Sequence, residues 1–491
     1  MESKLEYNAA NPVSIEQYGQ QLIGKTYMDV IREAELDEYS KAKLIEQYGN
    51  PKRKGGLGNL LEELFFGYKA NSDQRADFYE AGVELKVSAY EKSKKGTFRA
   101  GERLVITMIG YDKPIEIDFD NSHVIDKIRI ILLVYYLRNK ELGNNLLYPI
   151  DFVKLFSPPE EDMKIIKDDY EKIVKKIQNG QAHELSEGDT MYLGACTKGS
   201  TALKSTVPQY YSPYTPARKR AFCFKNSYMT YVLNNYIVKN IDTYEPIVTD
   251  TTELEHTTLD QLIVSKINSF IGKTDKELCE LFVRDFNNNK AQWIDLAYRM
   301  LGIKSNRAKE FIKANIVVKA IRLEENGSMR ESSPLPQMKL MEFVNQDWEE
   351  STLYSYFEET KFLFVVYKKV GQYYKLKGCQ LWNMPRKDLD ETVKAGWENI
   401  RSIVANGIIL TKKETASGLI IKNNLPKKNA NPIIHIRPHS QKRFYILENG
   451  EQIGDGSYSD AEPLPDGRWM QKQSFWINNS YILSQLKESL K

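Results

Sequence analysis

The 491-residue sequence predicts a mixed α/β (α+β) chain in which one domain is written twice. Three observations carry that expectation. The first is an ordered internal repeat. Ile23-Gly-Lys-Thr26 returns as Ile271-Gly-Lys-Thr274, and the run from Ala221 to Met229 returns, with Asn-Ser-Tyr in register, from Ser474 to Ile482. The second is helical. Ile166, Tyr170, Ile173 and Ile177 share one face and run into Asn179-Gly180; Val393, Trp397, Ile400 and Val404 run into Asn406-Gly407 at the same spacing, and Asn-Gly is a helix stop. The third is a strand: Val83, Leu85 and Val87 alternate with Glu84, Lys86 and Ser88, the period of a half-buried strand.

Along the chain, the repeat divides it into 1–245 and 259–491, joined at 246–258 by a polar, Thr-rich linker. Ser14 with Gln17 resembles a capping box, followed by Ile15, Tyr18 and Leu22 on one helix face. Gly19 to Thr26 matches the phosphate-loop pattern GxxxxGK[ST], but that motif needs a strand before it. In the second copy Ile267 replaces its first glycine. The segment therefore reads as a helix exit, and no ATP binding is expected. Gly58 to Glu62 reads as a helix delivering a carboxylate, and His123 and Lys127 stand four apart on a helix face. Pro158-Pro159 followed by three acids starts the helix that ends at Asn179.

Composition excludes several classes. At 41% hydrophobic and 27% charged residues the chain has the profile of a soluble globular protein. It lacks an apolar run long enough to cross a membrane, and its N-terminus lacks the apolar core of a secretory signal. Cys196, Cys223, Cys279 and Cys379 are too scattered for a disulfide scaffold or a CxxC zinc site, which points to a cytoplasmic setting. The net charge of +3 is unevenly placed: the first 250 residues carry −2 and the remainder +5. Residues 191–240 hold seven Lys or Arg, seven Tyr and no acid, and residues 415–447 hold six Lys or Arg and no acid. Such stretches are candidate phosphate-binding surfaces.

The chemistry lies between Asp77 and Ser88. Period two puts Glu84 and Lys86 on one strand face, and seven residues from Asp77 to Glu84 leave room for a turn and a neighbouring strand. Two converging carboxylates make a hard-oxygen site for Mg²⁺. A lysine beside them can orient an attacking water, which suits hydrolysis of a phosphodiester.

At these residues a resemblance becomes specific. The stretches KGGLGNLLE (54–62), Asp77 with GVELK (82–86), SHVIDK (122–127) and GQAHELSEGDTMYL (180–193) resemble the MutH family of mismatch-repair nicking endonucleases. The two-copy layout, HELSEG (183–188), CTKG (196–199) and QSFWINN (473–479) are similar to the family's GATC-cutting type II restriction endonucleases, which join two MutH-like domains. The resemblance implies two tandem restriction-endonuclease-like domains, each a central mixed sheet flanked by helices. It implies Mg²⁺-dependent cleavage of double-stranded DNA at GATC, before the G. It implies that Asp77 and Glu84 bind Mg²⁺, Lys86 positions water, Glu62 supports the site and Lys127 assists near the scissile phosphate. Glu62 is followed by five residues up to Gly67, one more than the family pattern. For base recognition it implies Lys198, flanked by Thr197 and Gly199, with Arg220 and Lys225 on phosphates.

In the second copy, alignment of GVELK with Asn315 to Lys319 puts Val317 at the Glu84 position, Lys319 at the Lys86 position and Glu310 at the Asp77 position. Valine cannot ligate a metal, so this copy is expected not to cut. Ile436-Arg437-Pro438, followed by His439, keeps the family's Ile-Arg-Pro reading sequence, whereas in the first copy Cys196 and Thr197 stand where Arg and Pro would. The resemblance thus implies an effector domain for a second GATC site. One cutting domain per chain also implies that two chains meet on DNA or act in succession. Two other readings are carried forward: a mismatch-repair nickase, and a double-stranded DNA-binding regulator without catalysis.

Overall fold

The computed structural model describes residues 6–49, 56–68, 75–93, 96–199, 205–239, 244–287, 289–416 and 418–491. Lys54 and Gly55 of the KGGLGNLLE motif, and Lys204 of the first basic stretch, lie outside them. The chain divides into two compact units: Met1–Leu259 with Arg307–Asn315, and Asp260–Asn306 with Ile316–Lys491.

The first unit contains β1 (Glu84–Lys92), β2 (Phe98–Ala100), β3 (Leu104–Met108), β4 (Ile131–Leu137), β5 (Ile150–Phe156), β6 (Leu193–Thr197), β7 (Thr206–Val207), β8 (Ala217–Arg218) and β9 (Arg220–Phe224). One sheet runs β2-β1-β4-β5, with β1 and β4 parallel and the outer pairings antiparallel. The central strand β4 begins with five buried residues, Ile131 to Tyr135, the continuous apolar run of a strand covered on both faces. A second sheet runs β3-β9-β6. Leu132, Val134, Val83, Leu85, Phe66 and Phe78 lie in the core cluster beside the first sheet. The helix Glu160–Gln178 carries three acids in its first turn and Lys175 and Lys176 in its last, complementing the helix dipole. It stops at Asn179, where Gly180 takes φ +72°; a Cβ there would lie 2.8 Å from that of Ser212.

The second unit contains β10 (Ile316–Leu323), β11 (Ser333–Met338), β12 (Lys361–Val370), β13 (Tyr373–Trp382), β14 (Leu410–Thr415), β15 (Gly418–Asn423), β16 (Ile434–Pro438), β17 (Tyr445–Ile446), β18 (Gln452–Ile453), β19 (Ala461–Pro463), β20 (Trp469–Gln471) and β21 (Gln473–Ile477). Its main sheets repeat the first unit's plan. Parallel β10 and β12 with antiparallel β13 match β1, β4 and β5, and β11-β21-β16 matches β3-β9-β6. The ribbon β14-β15 and the small sheet β18-β17-β20-β19 are additions.

The repeated Gly-Lys-Thr has one structural job in both units. Gly24 N donates to Ile150 O at 2.8 Å and Ile150 N to Lys25 O at 2.9 Å; Gly272 N donates to Leu376 O at 3.0 Å and Leu376 N to Lys273 O at 2.9 Å. Thr26 and Thr274 then cap the next helices in capping boxes with Asp29 and Glu277. A helix, Pro12–Gly19, precedes the first of these, not a strand. Its cap is Asn11, not Ser14: Asn11 Oδ1 accepts from Val13 N at 2.9 Å, while Ser14 Oγ accepts from Asn8 N at 3.0 Å. Pro12 at the first helical position explains the shift, because it fixes the entry to the helix three residues earlier.

The unit boundary also differs from the sequence expectation. Residues 307–315, expected in the second copy, belong to the first unit. In the helix Lys309–Ala314, Lys313 Nζ forms a fully buried ion pair with Asp162 at 2.6 Å, and Ser227 Oγ donates to Lys313 O at 2.8 Å.

Candidate active site

Asp77 and Glu84 are brought together by a tight reversal. Phe78 and Val83 form a two-way bridge, with N–O distances of 2.9 and 3.2 Å, around the 3₁₀ turn Tyr79–Ala81. Gly82 closes the turn at φ +63°, a left-handed conformation that glycine adopts without strain. The reversal places Asp77 Oδ2 against the backbone of the opposing strand, where it accepts from Leu85 N at 2.8 Å.

Glu84, the first residue of β1, is buried. Its Oε1 accepts from Lys86 Nζ at 2.7 Å, and both its oxygens accept from Lys127 Nζ at 3.0 Å. Lys127 is itself buried, delivered by the helix His123–Ile128 that Ser122 caps. His123, four residues earlier, does not join it: it is half exposed and lies 3.9 Å from Asp126.

Glu62 approaches from another direction. The helix Leu57–Leu60 passes into a π turn, Leu61–Phe65, in which Phe66 N donates to Leu61 O at 2.9 Å. A π turn accommodates one additional residue within a helix, and here it takes up the extra residue between Glu62 and Gly67. Burial pushes the Glu62 carboxyl up to about 7, aided by the Asp77 carboxylate. Burial, followed by repulsion from Glu84, pushes Asp77 up to about 6.

Tyr68 carried no sequence signal and belongs to this surrounding. Its N–H donates to Glu62 O at 3.0 Å, and its ring packs edge-on to Phe78 at 5.1 Å. Its buried hydroxyl has no hydrogen-bond partner among the described residues. Burial and then Asp77, Glu62 and Glu84 hold its proton on firmly.

This donor set fits a hard divalent cation. Three carboxylates share a partly desolvated space, and two of them are held above their ordinary range. Positive charge would relieve that penalty. Among the described residues the carboxylates are not already gathered as a cluster of three ligands; Glu84 is engaged by its two lysines instead.

A family model for the DNA mismatch repair enzyme MutH matches residues 66–169, which include Asp77, Glu84, Lys86 and Lys127. The chain is 33% identical over 462 residues to the Type II restriction enzyme Sau3AI of Staphylococcus aureus, covering 89% of this chain and 93% of that protein. It is 26% identical over 231 residues to the DNA mismatch repair protein MutH of Vibrio vulnificus (strain YJ016), covering 45% of this chain and 91% of that protein. The corresponding protein of Vibrio campbellii is 27% identical over 187 residues, covering 35% of this chain and 77% of that protein. The chain belongs to the MutH-related type II restriction endonucleases.

In this endonuclease the second unit keeps the strand frame of the site without its carboxylates. Val317 and Lys319 pair with Phe362 and Phe364 on β12, as Glu84 and Lys86 pair with Ile131 and Leu133 on β4. Asn315, at φ +54°, stands where Gly82 stands. Lys319 Nζ donates to Pro334 O at 3.0 Å, and desolvation pushes its ammonium down to about 8. Glu310 is not a counterpart of Asp77. It sits in the helix Lys309–Ala314 and accepts from Ile247 N at 2.9 Å and Val248 N at 3.2 Å. Counting back seven residues from Val317 fails because a helix replaces the bridge-and-turn that holds Asp77.

The segments expected to read DNA occupy matching positions by strand register. Cys196 and Thr197 on β6 pair with Ala221 and Arg220, as Arg437 and Pro438 on β16 pair with Ser474 and Gln473. Thr197 and Lys198 are partly exposed and Gly199 is exposed; Lys198 N donates to Lys219 O at 2.8 Å. Gly199 takes φ +103°, and a Cβ there would lie 2.6 Å from that of Ser205. Arg437, Pro438 and His439 are exposed, with the Arg437 guanidinium 5.3 Å from the centre of the Trp476 ring.

Arg220 and Lys225 do not serve phosphates as the sequence suggested. Both are buried, with Arg220 Nη1 donating to Ala195 O and Lys225 Nζ to Thr190 O. They brace the strand and the turn before it from beneath. Nearby, Glu187 of the HELSEG motif is buried against Arg103, and Asp169 accepts from Met191 N at 2.8 Å and Leu193 N at 3.0 Å.

Proposed function

We propose that this chain is a Mg²⁺-dependent restriction endonuclease that cuts double-stranded DNA at GATC, before the G. In this reading the first unit cuts, and the second binds another GATC as an effector. One contrast supports it most: Glu84 lies between Lys86 and Lys127 beside Asp77, whereas Val317 stands at the matching strand position.

Bound at Asp77 and Glu84, Mg²⁺ would neutralise charge on the phosphate and make bound water more acidic. Lys86 holds the attacking water by its Nζ, and Lys127 fixes the Glu84 carboxylate. Glu62, with its carboxyl raised to about 7, is suited to taking a proton from that water. The water oxygen bonds to phosphorus, the bond to the leaving sugar oxygen breaks, and that oxygen is protonated from solvent. In the second unit, the exposed Arg437 and His439 would donate to base edges in the major groove. An effector role needs a conformation that second-site DNA favours over the resting one.

Plasmids with zero, one or two GATC sites, digested with Mg²⁺ or EDTA, test the reading. Double-strand cutting confined to GATC plasmids, abolished by EDTA and faster with two sites, is the expected result. Discrete cutting of the site-free plasmid overturns the sequence assignment, and equal rates on one and two sites overturn the effector role. Nicking without double-strand cleavage would favour the mismatch-repair type of activity.

A further inference from the structure

The second unit carries an element that the first lacks. In the first unit the segment from Asn179 to Tyr192, between the repeated helix and β6, forms the short turns Ala182–Glu184 and Glu187–Asp189. In the second unit the corresponding segment, from Asn406 to Ile433, contains the two-stranded ribbon β14-β15 and leads into β16 with its Arg437-Pro438-His439.

Pairing within the ribbon sorts its side chains. Thr411 pairs with Lys422 and Lys413 with Ile420, so these four occupy one face. Leu410, Lys412, Glu414, Leu419 and Ile421 occupy the other. Leu410 and Ile421 pack against the unit's hydrophobic core, which marks the second face as the inward one. Lys412 on that inward face has a carboxylate partner, Glu451. Lys413 and Lys422 on the outward face are exposed, diagonal neighbours across the ribbon, and neither has an ion-pair partner among the described residues. The charges of Lys413 and then Lys427 make it harder for Lys422 to keep its proton. Like charges placed this way oppose each other unless an anion lies between them. Two such positions side by side on an exposed ribbon suit a polyanion whose charges repeat in space.

The geometry points to the outward face of the β14-β15 ribbon, through Lys413 and Lys422, as a clamp on the phosphate backbone of DNA held by the second unit. This rests on the reading of that unit as DNA-binding. Contacts to phosphates fix position without reading sequence, and they weaken as salt rises. The ribbon therefore supplies grip beside the base-reading residues on β16. It gives the unit that has lost its carboxylates a DNA-holding device of its own.

The test uses the full-length chain with Lys422→Cys, labelled with a photoreactive maleimide. All four native cysteines are buried, which leaves the new thiol as the ready target. Adducts with labelled duplexes are measured with and without GATC, in EDTA, over a series of salt concentrations. Adducts on both duplexes, declining as salt rises and reduced severalfold by adding Lys413→Glu, are expected. Thermal melting checks that the exposed substitutions leave the fold intact. Absence of an adduct, or a yield insensitive to both salt and Lys413→Glu, overturns the clamp. Arg437→Ala, assayed in parallel for affinity to the GATC duplex, separates the two readings. If it weakens binding while the ribbon fails to cross-link, the DNA-binding reading of the unit stands and the clamp falls. If the ribbon cross-links while Arg437→Ala changes nothing, the clamp stands and the base-reading assignment falls.

Discussion

Lys127 Nζ lies 3.0 Å from both carboxylate oxygens of Glu84, and both side chains are buried. The lysine fixes which way the carboxylate faces. We expect Lys127→Ala to slow single-turnover cutting by about 10²-fold or more, the range for loss of a positioned acid–base group. It should also lower the urea midpoint, because Glu84 would lose one of its two cationic partners. A variant that cuts normally would remove Lys127 from the site.

Glu84→Ala should abolish cutting while DNA binding in EDTA persists. Adding Val317→Glu to that variant should restore nothing. The new carboxylate would lack an Asp77 equivalent, since Glu310 is committed to the amides of Ile247 and Val248. Recovered cleavage in the double variant would show that the second unit retains a hidden site.

Lys198 and Lys225 should behave differently although both lie in one basic stretch. Lys198→Ala should weaken discrimination between GATC and altered sites by about 1–3 kcal/mol, as for one base-edge contact. Lys225→Ala should instead cost stability, about 1–3 kcal/mol, by leaving the buried Thr190 carbonyl unpaired. Its binding should keep the wild-type salt dependence. Denaturation curves and salt titrations distinguish the two.

His435 should make the second unit sensitive to acid. Burial, with the charges of Arg437 and Lys428, pushes its pKa down from 6.5 to about 4, against the opposing hydrogen bond that its ring Nδ1 donates to Asn478 Oδ1. Below its ordinary pKa, the unfolded chain binds a proton that the folded chain refuses. Stability is therefore lost as pH falls from about 6.5 towards about 4. Between about pH 7.5 and about pH 5 the wild type should lose more stability to denaturant than His435→Gln. Identical pH dependence in the two proteins would dismiss the effect.

The parts legible in the sequence were those with local chemistry. Gly24 and Gly272, the Asn-Gly stops and the alternation from Val83 to Ser88 each declare a conformation within a few residues, and the same motifs repeated in order revealed the duplication. Glu84 and Lys86 were legible because period two alone puts them on one face. The partners of Arg220 and Lys225 were not legible. They are the carbonyls of Ala195 and Thr190, which become neighbours only when β6 and β9 pair. Tyr68 reaches the carboxylates through a π turn that sequence spacing registers only as an extra residue. Glu310 was misplaced because counting residues assumes equal local structure in both copies, and a helix stands in one of them.

The ion pair between Lys313 and Asp162 has a further consequence. Asp162 belongs to a segment made early in synthesis, and Lys313 comes 151 residues later, after the second unit's first helices. The first unit must therefore wait, with a buried carboxylate unanswered, until the ribosome has entered the second. A gene trimmed at the linker would encode a first unit without its own closing helix. Duplication supplied two copies, but the unit of inheritance and the unit of folding no longer share a border.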